Sequence, residues 1–149
     1  MKTYFQQIFR HEFWANQQVF ETLLTAENPP ERASQIASHL IAAQRIWLDR
    51  LIYKNSDVKV WEDFESKTLL ELLETNHQDL MKFIENCEDI EQLIAYENSK
   101  GEKFANTIKD ILTHLSQHAA YHRGQIIVLI KPFVEKLPAT DFIVYARRN

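Results

Sequence analysis

The sequence predicts an all-α protein, an antiparallel four-helix bundle, and three observations carry that prediction. Only two glycines and four prolines occur in 149 residues, too few for a β fold that needs a turn every ten or so residues. Apolar side chains recur at three- and four-residue steps in four long segments, the period of helices with one face in a core. The apolar fraction is 45%, which suits a globular chain rather than a disordered one. This length fits one domain, residues 1–149, able to bury a core without covalent staples.

The first helix is expected from about Lys2 to Leu24, with Phe5, Ile8, Phe9, Phe13, Val19, Phe20 and Leu23 inward. Pro29-Pro30 closes the connection, and because proline is tolerated in a first helical turn, the second helix starts near Glu31. It runs to about Tyr53 with Ile36, Leu40, Ala43, Trp47 and Leu51 as its stripe, and Asn55-Ser56-Asp57 breaks it. A loop over residues 58–65 holds Trp61 and Phe64, which fit either a pocket cover or a dimer contact. The third helix is expected from Ser66, as N-cap, to Cys87. Leu69, Leu72, Leu73, Leu80, Phe83 and Ile84 face its inner side. Residues 88–106 lack a helical period; Leu93 to Tyr96 reads as extended and Gly101 as a turn. The fourth helix runs from about Asn106 to Lys131, where Pro132 ends it. The tail, Phe133 to Asn149, reads as a short helical turn and an irregular end. Four antiparallel helices with one longer connection before the last is the natural assembly.

Charge and cysteine content exclude several functions. The net charge is −4 and the one basic cluster is Arg147-Arg148, so no nucleic-acid footprint exists. The longest apolar run, Ile126 to Ile130, cannot span a bilayer, and the first residues lack the apolar run of a secretory signal. A single cysteine, Cys87, agrees with a reducing compartment. The expectation is a cytoplasmic protein with neither nucleic acid nor membrane as partner. Cys87 lies beside Glu85, Glu88 and Asp89, whose charges disfavour a thiolate, so it is not read as a nucleophile. No glycine-rich phosphate loop, nucleophile elbow or paired-cysteine motif occurs.

The histidines are more informative. They stand at 11, 39, 77, 114, 118 and 122. On a helical wheel with His118 at zero, Ile111 and Leu129 fall near ~20°, His122 near ~40°, Leu115 near ~60° and Ile126 near ~80°. His118 and His122 therefore share the apolar stripe, and i, i+4 imidazoles can converge on one ion. Burying both is unfavourable unless their nitrogens find partners, and a metal supplies them. His114 falls near −40°, at the edge of the stripe, as a rim or hydrogen-bonding neighbour. His39 lies on the second-helix stripe with Ile36, Ala43, Trp47 and Arg50, near mid-helix, and is the third candidate ligand. His11 and His77 read as polar-face or boundary residues, the ordinary role of a lone histidine. Gln125, near −20°, is a weaker candidate for contacting a ligand or bound water, and a bundle-edge polar residue is an equal alternative. Arg123, near 140°, points away and suits an ion pair or dimer contact. Arg50 suits either an anionic substrate group or a salt bridge to Glu12 or Asp49. Asn16 suits a cap or a helix bridge.

The run His118-Ala119-Ala120-Tyr121-His122-Arg123-Gly124-Gln125-Ile126 resembles the His-x-x-x-His-Arg-Gly-Gln signature of the DinB/YfiT-like metalloprotein family. Trp14-Ala15-Asn16 resembles that family's first-helix motif, and the stretch from His39 to Arg50 its second-helix motif. Tyr96 to Gly101 and Thr140 to Tyr145 match its usual run-in and ending. The resemblance covers essentially the whole chain. It implies a four-helix bundle, often a homodimer, with a three-histidine metal site, carried here by His39, His118 and His122.

Three neutral imidazoles leave a divalent ion its full charge and at least one open position, the pattern of catalytic rather than structural zinc. Nitrogen ligands fit zinc or nickel best here, with iron, manganese and copper as alternatives. Relatives with known activity include thiol-dependent S-transferases and isomerases. The resemblance thus implies a low-molecular-weight thiol and an electrophile as substrates, handled in a stress response. The alternatives are a metal-dependent hydrolase and a non-catalytic protein whose ion stabilises the bundle or whose pocket senses a ligand.

Overall fold

The computed structural model describes residues 1–98 and 100–148. It is mostly helical, as the periodicity requires. The long helices are α1 (Lys2–Thr25), α2 (Glu31–Leu51), α3 (Leu69–Asn86) and α4 (Ile108–Ile130), followed by a one-turn α5 (Phe142–Ala146). Two strands, β1 (Leu93–Glu97) and β2 (Lys103–Thr107), pair antiparallel before α4. The all-α expectation did not include this hairpin.

The ends of the elements follow local chemistry. Asn28 takes φ 52° beyond α1, and α2 starts straight after Pro30. α2 stops two residues short of the expected Tyr53, because Tyr53 itself adopts φ 56°, a left-handed conformation that cannot continue the helix. Ser66 is not the cap of α3. Residues Ser66–Thr68 form a 3₁₀ turn, and Thr68 precedes the helix without a side-chain cap. At α4 the cap is complete: the Thr107 hydroxyl accepts from the Asp110 amide while the Asp110 carboxylate accepts from the Thr107 amide. That reciprocal pair satisfies two orphan donors of the first turn. Gly101 turns the hairpin with φ 77°, a conformation glycine adopts without steric cost.

α1 packs on α3 and α4, and α2 on the same two helices. Two apolar clusters fill the space between them. One gathers Phe20, Leu40, Ile41, Leu69, Leu73 and Ile126, and Phe64 from the loop packs against it. The other gathers Phe9, Leu48, Leu80, Ile84, Ile111 and Leu115, with Ile94 of the hairpin closing it. His118 and His122 therefore sit on α4 between Leu115 of one cluster and Ile126 of the other. No helix is long and apolar enough to cross a membrane among the described residues.

Candidate metal centre

Each histidine of the centre is placed by a different helix position. His39 sits mid-way along α2, on the face that packs against α4; His118 and His122 are one turn apart on α4. His39 and His122 are buried and His118 is half-buried. The expectation of a buried His118–His122 pair thus holds fully for His122 and in part for His118.

The three rings turn the same nitrogen inward. His39 Nε2 lies 3.2 Å from His118 Nε2, and His122 Nε2 lies 3.1 Å from it. The outer nitrogens are held. His39 Nδ1 donates to the carbonyl oxygen of Val60 at 2.7 Å, and His122 Nδ1 donates to Gln125 Oε1 at 2.8 Å. Those oxygens only accept, so both Nδ1 atoms carry the proton and both Nε2 atoms carry a lone pair. A proton on His118 Nε2 could serve one of these lone pairs well, leaving the other unmatched. A cation serves all three. Two nitrogens each ~2.0–2.1 Å from a tetrahedral ion lie about 3.3 Å apart, close to the observed spacing. Ligand atoms of the three side chains all lie within 4.8 Å of one another, and the donor set fits a divalent ion.

Protonation of His118 does not compete near neutral pH. Burial, followed by repulsion from His122, His39 and His114, holds the His118 pKa down at about 3. Burial likewise lowers His122, against the opposing effect of its bond to Gln125.

Aromatic rings surround the cluster. Trp61 stacks flat on His39, with ring centroids 4.1 Å apart and planes 16° apart. Its neighbour Val60 supplies the carbonyl to the same histidine, so one loop both orients and covers the ring. Arg32 lies over the outer face of Trp61, 4.5 Å from its centroid. On the other side, His114 contacts His118 at 5.5 Å and Trp47 at 5.3 Å between centroids. It takes the rim position its wheel angle predicts.

Of the other polar residues, Arg123 makes the expected ion pair and His77 the expected boundary contact, whereas His11 and Arg50 differ. Arg123 does turn away from the cluster, and it is buried: its guanidinium grips both Glu12 oxygens, at 2.7 and 3.1 Å, and Asn16 Oδ1 at 3.0 Å. Glu12 is therefore unavailable to Arg50, and Asp49 is held by Arg45 at 2.7 Å. Arg50 instead lies over two aromatic rings that meet edge-to-face, those of Trp47 and Tyr96. His11 is buried rather than at a polar face, because its Nε2 bonds the Thr140 carbonyl at 2.8 Å where the C-terminal segment returns over α1. His77 is partly buried and stacks on Phe13 at 4.4 Å. Burial raises the Cys87 pKa, in keeping with an unreactive thiol. Of the two roles the sequence left open for the loop aromatics, Trp61 takes that of a cover, whereas Phe64 packs into the core instead; the Val60 carbonyl was not legible, since nothing in a loop sequence says which histidine it will meet.

The DinB family profile matches residues 1–149. Among curated proteins, Protein DinB of Bacillus subtilis (strain 168) is 23% identical over 159 residues, covering 93% of this chain and 91% of that protein. No solved structure matches significantly. With a family match that spans every residue, and with its histidine motif gathered at one point between α2 and α4, this chain belongs to the DinB family.

Proposed function

We propose that this chain binds one divalent metal ion through Nε2 of His39, His118 and His122 and activates a low-molecular-weight thiol for transfer to an electrophile. The supporting observation is the count of donors. Three lone pairs converge, and no fourth His, Cys, Asp or Glu joins them among the described residues. Such a set leaves a coordination position for an exogenous ligand, and half-buried His118 puts that position near solvent. The four long helices are read as one antiparallel bundle whose task is to bring these rings together.

When bound, the ion supplies Lewis acidity, which lowers the pKa of a thiol or water that reaches it. The protein's own groups do the rest. Val60 and Gln125 fix the two buried rings in the tautomer that exposes Nε2, the outer-shell device that orients ligands. Trp61 shields one face of His39 from water. His118, with its depressed pKa, stays neutral across the physiological range and remains available as a ligand.

The test is elemental analysis of untagged protein purified without added metal, then conjugation of 1-chloro-2,4-dinitrobenzene with glutathione, cysteine and coenzyme A. Thiol-dependent turnover that disappears with chelation and with His118→Ala supports the reading. An intact metal with no turnover for any thiol or electrophile favours the non-catalytic alternative.

A further inference from the structure

Arg50 occupies an unusual place. Its Cζ lies 4.4 Å from the centroid of Trp47 and 4.7 Å from that of Tyr96, two rings that meet edge-to-face with centroids 5.0 Å apart, so the guanidinium rests in the corner they form. One nitrogen, Nη2, donates to the Glu97 carbonyl at 3.2 Å. Most of its five N–H donors have no such bond among the described residues. No carboxylate pairs with it among the described residues, since Asp49 belongs to Arg45 and Glu12 to Arg123. A half-buried cation without a carboxylate partner is costly, and here burial pulls its pKa down, opposed by Tyr96 alone.

The position adds to the chemistry. Trp47, which carries one face of Arg50, also contacts His114, and His114 contacts His118. The cation is thus joined to the histidine cluster through two intervening rings, Trp47 and His114. Its fork is pinned by α2 on one side and by β1 on the other. A planar, immobilised guanidinium matches a carboxylate with two parallel hydrogen bonds and loses little freedom on binding it.

We infer that Arg50 is an anion-binding residue of this centre, which receives a carboxylate of the same molecule whose thiol reaches the three histidines. The inference rests on the thiol reading above and narrows it to acidic thiols of peptide size. The rings of Trp47 and Tyr96 hold the cation ready, and the ligand carboxylate supplies the missing counter-charge.

The test uses cobalt(II)-loaded protein and two probes, glutathione and its diethyl ester, with dissociation constants read from the sulfur-to-cobalt charge-transfer band. The wild type binds glutathione roughly tenfold or more tighter than the ester, the worth of a charged hydrogen-bonded pair. Arg50→Gln removes that preference while leaving the ester constant and the cobalt affinity unchanged, and Arg50→Lys keeps part of it. Equal binding of both probes by the wild type, or a preference that survives in Arg50→Gln, overturns the proposal. A second arm separates it from the thiol reading. If neither thiol gives a band, the thiol reading fails, and calorimetric titration with citrate decides for Arg50. Citrate binding weakened in Arg50→Gln keeps the anion site; indistinguishable titrations remove it.

Discussion

Gln125 Oε1 accepts the Nδ1 proton of His122 across 2.8 Å, three residues along the same helix turn. The glutamine therefore acts behind the ring, fixing which nitrogen faces the cluster. Gln125→Leu keeps the packing volume and removes the acceptor. The expected result is a fall in metal affinity of roughly 10- to 100-fold, with helicity unchanged. Competition titration against a chromogenic chelator measures it, and an unaltered affinity would show that the ring needs no such partner.

Removing a ligand is more severe. His118→Ala leaves His39 and His122 without the nitrogen that lies within 3.2 Å of both. Metal content should fall from about one ion per chain to a small fraction of that, because two ligands rarely hold an ion through purification. Since His118 is only half-buried, the metal-free variant should melt close to the metal-free wild type. Elemental analysis and thermal melts read the two effects separately.

The metal-free protein should lose stability in acid. His118 has its folded-state pKa depressed to about 3 from an ordinary 6.5. The unfolded chain then binds the proton more readily, so the contribution is complete above about 6.5 and is lost as pH falls toward 3. Bound metal should make this loss steeper, because protonation also displaces the ion. Urea midpoints at pH 7.5, 6 and 5, with and without chelator, check the sign. A chelated protein equally stable at 7.5 and 5 would contradict it.

The pair between Arg123 and Glu12 is a stability element. Both side chains are almost wholly buried, and two hydrogen bonds join them. Arg123→Met strands the carboxylate and should cost roughly 3–5 kcal/mol, whereas Glu12→Leu combined with Arg123→Met should cost far less. Urea unfolding of the wild type, Arg123→Met, Glu12→Leu and the double variant measures the difference. Additive losses in the double variant would mean the pair is not coupled.

Periodicity made some of this legible and not the rest. The spacing of His118 and His122 within an apolar stripe located two of the three histidines, because a helix converts sequence spacing directly into a shared face. His39 followed from its own stripe, since two inward faces of one core must meet. Contacts that depend on a chain reversal left no such trace. His11 is buried only because Thr140 returns over it, and Trp61 covers His39 from a loop without a period. Arg50 was open between an ion pair and an anion site because its neighbours Tyr96 and Glu97 come from β1, whose pairing with β2 a weakly apolar stretch does not announce. Ser66 looked like a cap by residue type, yet a 3₁₀ turn intervenes before α3.

The separation of His39 from His118 by 79 positions has a consequence during synthesis. A nascent chain emerges from the ribosome N-terminal end first, at about 5–20 residues per second. For the seconds between its second and last long helices, it offers a solitary imidazole that cannot hold an ion. The cluster comes into being only when α4 closes on a partner already made. Under the proposed function, metal capture is a late event that reports completed docking, and a product cut short before residue 118 lacks two of the three donors.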